Sequence, residues 1–122
     1  MTQLPKPSLV DDDLAGRRCV PCRGGVPPLG PEEVSRLQTA VPDWSVAPGG
    51  KRLVRRFAFR DYARAFDLVA RVSVLAEAEG HHPDVCFGWG YAEFSLTTHA
   101  IGGLHENDVV LAAKIDRLSA SS

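Results

Sequence analysis

The chain has 122 residues, a formal net charge of −1, 44% hydrophobic residues and 24% charged residues. That length suits one domain whose core needs neither metal nor disulfides, and the balanced charge leaves no basic footprint for nucleic acid or an anionic membrane. No apolar run reaches membrane-span length, and the polar start lacks the apolar segment of a secretory signal, so a cytoplasmic protein is expected.

Residues 1–29 read as an extended N-terminal arm, and 30–122 as the domain. Five of the nine prolines fall in the first thirty residues, which favours extended backbone, and Val26-Pro27-Pro28-Leu29 is expected in polyproline geometry against the domain. Cys19 and Cys22 have metal-ligand or redox spacing. A second Cys pair for zinc and a preceding strand for a redox motif are both missing, so a structural role is the leading reading.

Gly30-Pro31-Glu32-Glu33 starts a helix, with proline and acids in the first turn; Val34, Leu37 and Val41 mark its face, and Pro42 stops it. A hairpin follows over about 44–59, turning at Pro48-Gly49-Gly50, with Leu53, Arg55, Phe57 and Phe59 on one face. Asp61 caps a long helix whose inward set reads as Ala63, Phe66, Val69/Ala70, Ser73 and Ala76/Glu77; Gly80 ends it and Pro83 bars its continuation. Phe87 to Tyr91 is a glycine-punctuated hairpin. Tyr91, Glu93, Ser95, Thr97 and His99 alternate on one strand face. Gly102-Gly103 is a loop, and Glu106 to Ser119 is the last helix. The order α-β-β-α-β-β-α predicts an α+β fold: a four-stranded antiparallel sheet with helices packed on one face.

Three of the four histidines, His81, His82 and His99, fall within nineteen positions, concentrating groups that titrate near neutrality. As a surface pair, His81 and His82 would complement the helix C-terminus. Pro83, however, restricts His82 to extended backbone, and a returning hairpin brings His99 toward the pair. Glu77, one helical turn before His81, is placed to orient an imidazole. Asp108 opens the last helix, where a carboxylate also suits the dipole. Trp89 and Phe87 offer a flat ligand an aromatic wall. Adjacent histidines diverge, so no metal site is expected, and no serine or threonine has a nucleophile-elbow context. His105 shows no partner and reads as a surface residue. General acid–base chemistry on a small aromatic molecule fits best.

Glu77-x-x-x-His81-His82-Pro83, with Trp89, His99 and Asp108 at fixed spacing, resembles the signature of pterin-4a-carbinolamine dehydratases. Trp44, Phe57-x-Phe59-x-Asp61-Tyr62, Ala65-Phe66, Gly103-Leu104 and Leu111-Ala112 extend the resemblance over about residues 30–119, and the Cys19-bearing leader resembles the extension of bacterial members. The resemblance implies dehydration of 4a-hydroxytetrahydrobiopterin to quinonoid dihydropterin, with no metal or other cofactor. It implies His81, His82 and His99 as catalytic residues, His82 foremost, with Glu77, Trp89, Thr98 and Asp108 binding substrate or supporting them. It also implies a homo-oligomer, dimer or tetramer. Val85-Cys86 stands where animal members carry bulkier residues, so their transcription-factor partnership is not expected. Dehydratase-like proteins also serve as non-catalytic assembly factors for RuBisCO in carboxysome systems, which is the alternative function.

Overall fold

The computed structural model describes residues 14–20 and 24–120. Its helices are α1 (Pro31–Gln38), α2 (Tyr62–Glu79) and α3 (Glu106–Ala120); its strands are β1 (Ser45–Val46), β2 (Leu53–Ala58), β3 (Asp84–Gly88) and β4 (Tyr91–Leu96). The strands form one antiparallel sheet in the order β1-β2-β4-β3. The expected α+β architecture is therefore present. Short 3₁₀ turns at Leu14–Gly16 and His99–Ile101 add to it.

Register explains the core. Phe57 and Phe87 both sit opposite Ala92, and Val85 sits opposite Phe94, so these residues share the face toward the helices. Ala92, Phe94 and Leu96 are fully buried there, as is Trp44. The opposite face carries Arg56–Glu93 and Arg52–Asp84 ion pairs. Trp44 donates its Nε1–H to Asp116 (2.8 Å), which also accepts from Arg55 (2.6 Å). Burial pushes the Asp116 carboxyl up, and these two donors work against that shift.

Several boundaries differ from the sequence reading. α1 stops at Gln38 rather than Val41. Thr39, Ala40 and Val41 donate their N–H groups to carbonyls three residues back, so the chain tightens into a turn that still buries Val41. On α2 the buried stripe is Ala65, Leu68, Val72 and Ala76; of the expected set Ala63, Phe66, Val69/Ala70, Ser73 and Ala76/Glu77, Ala76 alone belongs to it. The helix carries two apolar stripes, and periodicity does not tell which meets this core. Phe66 remains 54% exposed and lies against Phe87. β4 is an interior strand, and β1 and β3 hold the two edges.

The described part of the arm, residues 14–20 and 24–29, is also better packed than its composition suggests. Leu14 joins the core at 3% exposure, and its turn packs on α3. α3 is consequently buried without a break from Asn107 to Ala112. Leu29 donates its N–H to the Leu104 carbonyl (2.9 Å). A side chain at Gly103 would meet Pro28 Cβ at 2.7 Å, so only glycine admits the arm there.

His105 is not a free surface residue. Its Nδ1 accepts the Asn107 N–H (3.0 Å), the bond an N-cap side chain makes with the first turn of a helix. His105→Ala should lower the melting temperature by about 4 °C, the effect of losing a cap worth about 1 kcal/mol. His105→Asn, which restores a capping acceptor, should recover most of it; equal melting for all three proteins would remove the capping role.

Candidate functional site

Gly80 ends α2 in the left-handed conformation (φ 66°), a geometry that glycine adopts without strain. The His81 N–H returns to the Ala76 carbonyl. Pro83 then forces extended backbone into β3. The two histidines are thus delivered from a fixed helix end to a fixed strand start. His99 arrives from the far side, after β4. It does not continue the strand: Thr98 bridges to Gly103, and His99 opens the 3₁₀ turn. All three imidazoles line one cavity of about 450 Å³, within the range of small-molecule sites.

Asp108 anchors this arrangement and is fully buried. Its Oδ1 bonds His81 Nε2 (2.6 Å), and its Oδ2 accepts from the Thr98 hydroxyl (2.8 Å) and the His105 N–H (3.0 Å). The last of these also satisfies the N-terminus of α3, where a carboxylate is favoured by the helix dipole. Glu77 pairs with His82 Nε2, not with His81. The left-handed turn at Gly80 redirects the chain, so helical i,i+4 spacing no longer applies.

These pairings assign protons. A carboxylate only accepts, so the neutral forms of His81 and His82 carry their hydrogen on Nε2 and leave Nδ1 as the basic nitrogen. His99 is exposed; its carbonyl accepts the Gly102 N–H (3.2 Å), and its imidazole makes no hydrogen bond among the described residues. Thr98 lines the cavity and spends its hydroxyl hydrogen on Asp108. Trp89 is not brought to the cavity. It sits 73% exposed in the β3–β4 turn, separated from the histidine pair by the five residues of β3, a span of roughly 17 Å. Phe87 packs with Tyr62 and Phe66 instead. Among the described residues no group of three His, Cys, Asp or Glu side chains could hold a metal ion.

Two wall residues carried no sequence signal. Glu79, whose side chain is 6% exposed, accepts the Cys19 N–H (2.8 Å) and lies near Arg18 and Lys114. Burial raises its pKa, but the Cys19 hydrogen bond and the two cations outweigh this and hold the carboxyl below its ordinary value. Asn107, 3% exposed, holds Val20. Cys19 itself is a free thiol. Burial, and then the Glu79 charge, push it up to about 12, so it stays protonated near neutrality and is a poor nucleophile or ligand. Cys22 lies outside the described residues.

The proton assignment is directly observable. Nitrogen-15 spectra of histidine-labelled protein above pH 8 should show His81 and His82 as Nε2–H tautomers. Nδ1–H signals for either would contradict the pairing with Asp108 or Glu77.

Comparison with known proteins gives the family. The family model described as pterin 4 alpha carbinolamine dehydratase matches residues 27–118. A protein of Rubrobacter xylanophilus is 54% identical over 106 residues, covering 87% of this chain and 98% of its own length. One of Methylococcus capsulatus is 46% identical over 109 residues, covering 89% and 96%. Both are named provisionally as pterin-4-alpha-carbinolamine dehydratases. The crystal structure of a transcriptional coactivator/pterin dehydratase from Brucella melitensis superposes with a TM-score of 0.71 at 27% identity, over 75% of this chain and 97% of that one. A pterin dehydratase-like protein identified as a RuBisCO assembly factor in the alpha-carboxysome superposes with a TM-score of 0.56 at 30% identity, over 66% and 93%. On the strength of the matched region and these identities, the chain belongs to the pterin-4-alpha-carbinolamine dehydratase family.

Proposed function

We propose that the protein dehydrates a 4a-hydroxytetrahydropterin to the quinonoid dihydropterin by histidine acid–base catalysis. The observation that carries this reading is the convergence of His81, His82 and His99 on one cavity, two of them paired with carboxylates. The reaction breaks the C4a–O bond, removes the N5 proton and forms the C4a=N5 double bond. One imidazolium protonates the departing hydroxyl and one neutral imidazole takes the N5 proton, so no net proton is consumed. His82, with its side chain 57% exposed, is open to proton exchange with solvent between turnovers. His81, 12% exposed and fixed by Asp108, supplies a rigid partner. The cycle requires no metal or redox group.

A second reading has its own support in the 30% identity to the RuBisCO assembly factor. There the same fold would serve as a binding surface. Turnover separates the two. Purified protein should accelerate dehydration of 4a-hydroxytetrahydrobiopterin without added metal, and His82→Ala should lose roughly 10²–10⁴-fold in rate. A wild-type rate equal to the spontaneous one would favour the assembly reading. Loss of activity on chelation would overturn the metal-free mechanism.

We further infer a homo-oligomer. β3 is an open edge, and an exposed edge favours pairing with another chain. Beside it lie Tyr62 and Phe66, 50% and 54% exposed, and Val85 at 38%. Tyr62 and Phe66 meet their own fold at Phe87 but stay half exposed, and a two-fold contact would cover them. Sedimentation at micromolar concentration should give at least twice the 13.2 kDa monomer mass. Phe66→Arg should shift the species toward monomer; a wild-type protein that is already monomeric would remove the interface.

A further inference from the structure

Cys19 and Val20 precede the region matched to the family, residues 27–118, yet both line the cavity that holds the three histidines. Their placement is specified by contacts far apart in sequence. Leu14 is buried in the core at 3% exposure. Lys114 donates to the Ala15 carbonyl (2.8 Å). The Cys19 N–H goes to Glu79, at 2.8 Å. Asn107 then takes hold of both backbone polar groups of one residue. Its Oδ1 accepts the Val20 N–H (2.9 Å), and its Nδ2 donates to the Val20 carbonyl (2.6 Å). A side-chain amide that matches donor to acceptor and acceptor to donor fixes that backbone as a neighbouring strand would.

Val20 is held this firmly while its side chain stays 56% exposed. Core packing does not account for that, whereas its position on the cavity does. It is the largest apolar side chain on a wall otherwise made of imidazoles, hydroxyls, amide, carboxylate and small residues. A pterin is a flat heterocycle with polar edges and apolar faces. The histidines and hydroxyls suit the edges, and Val20 suits a face.

We propose that the arm segment Cys19–Val20 is a substrate-binding wall of the pterin site and that Asn107 is the positioning residue that sets it. The proposal rests on the dehydratase reading and adds a binding element to it. Asn107 adjoins Asp108 at the start of α3, so one helix terminus fixes both the wall, through Asn107, and a catalytic histidine, through Asp108. The wall touches no reacting atom. It stabilises bound substrate and transition state alike, so its loss raises KM and leaves kcat in place.

The test uses the full chain with Val20→Ala and Asn107→Ala, steady-state dehydration kinetics, and equilibrium dialysis of 7,8-dihydrobiopterin as a probe that needs no turnover. Val20→Ala should raise KM and the probe Kd about 3- to 10-fold, less than a fully enclosed apolar contact would give. Asn107→Ala should raise both about 10- to 30-fold, because the whole wall is released. In both variants kcat should stay within about threefold. Should Asn107→Ala fail to fold, Val20→Ala decides alone, since its side chain is more than half exposed. If wild type binds and turns over while Val20→Ala keeps its KM and Kd within twofold, the wall is overturned and the dehydratase reading stands. A fall in kcat with KM unchanged would also overturn it, by placing Val20 in the chemistry. If wild type neither binds the probe nor turns over, the dehydratase reading fails and takes the wall with it.

Discussion

The site depends on one buried carboxylate. Asp108 is wholly removed from solvent, and a buried charge is costly unless its oxygens are satisfied. Three donors from three parts of the chain satisfy it: His81 beyond α2, Thr98 beyond β4, and the His105 N–H at the head of α3. None of these segments is regular structure at the point of contact. Each would be free to move as a surface loop, and together they are fixed because each supplies what Asp108 needs. Removing the carboxylate would leave buried donors unpaired at about 1–3 kcal/mol each, so stability and site geometry are coupled there.

The fold supplies the ends that meet at this point. A sheet in the order β1-β2-β4-β3 places the end of β4 beside the start of β3. α2 packs across those two strands and delivers its C-terminus to the same edge. Gly80 and Pro83 then convert a helix end into a strand start within four residues, with two histidines between them. Rigid elements thus stop at the rim of the cavity, and short irregular segments carry the functional side chains, as is common for binding and catalytic residues. The arm completes the rim through Glu79 and Asn107.

Much of this was legible in the sequence. Period-two alternation marked β4, and Asp61 with Gly80 bracketed α2, because these signals are local. His81, His82, His99 and Asp108 could be grouped because they are few and chemically distinctive. What escaped depended on tertiary context. The alternation through Thr97 and His99 looks like strand, but the Thr98–Gly103 bridge bends the chain before His99. Glu77 matches His81 by helical spacing, yet the left-handed Gly80 hands it to His82. Of the two apolar stripes on α2, the aromatic one attracted the core assignment and the aliphatic one took it. Glu79 and Asn107 follow no pattern, since their role is to hold an arm whose Pro-rich composition concealed one core leucine. Trp89 sits at the right sequence distance and at the wrong end of β3.

The central claim is that Asp108 sets His81 in a catalytically competent tautomer, and Asp108→Asn tests it most directly. Its oxygen would remain with Thr98 and the His105 N–H, which require an acceptor. Its amide NH₂ would then face His81 Nε2, making that nitrogen an acceptor and moving the ring proton to Nδ1. The account predicts a folded protein whose dehydration rate falls roughly 10²–10⁴-fold. A folded Asp108→Asn protein that turns over at the wild-type rate would contradict it.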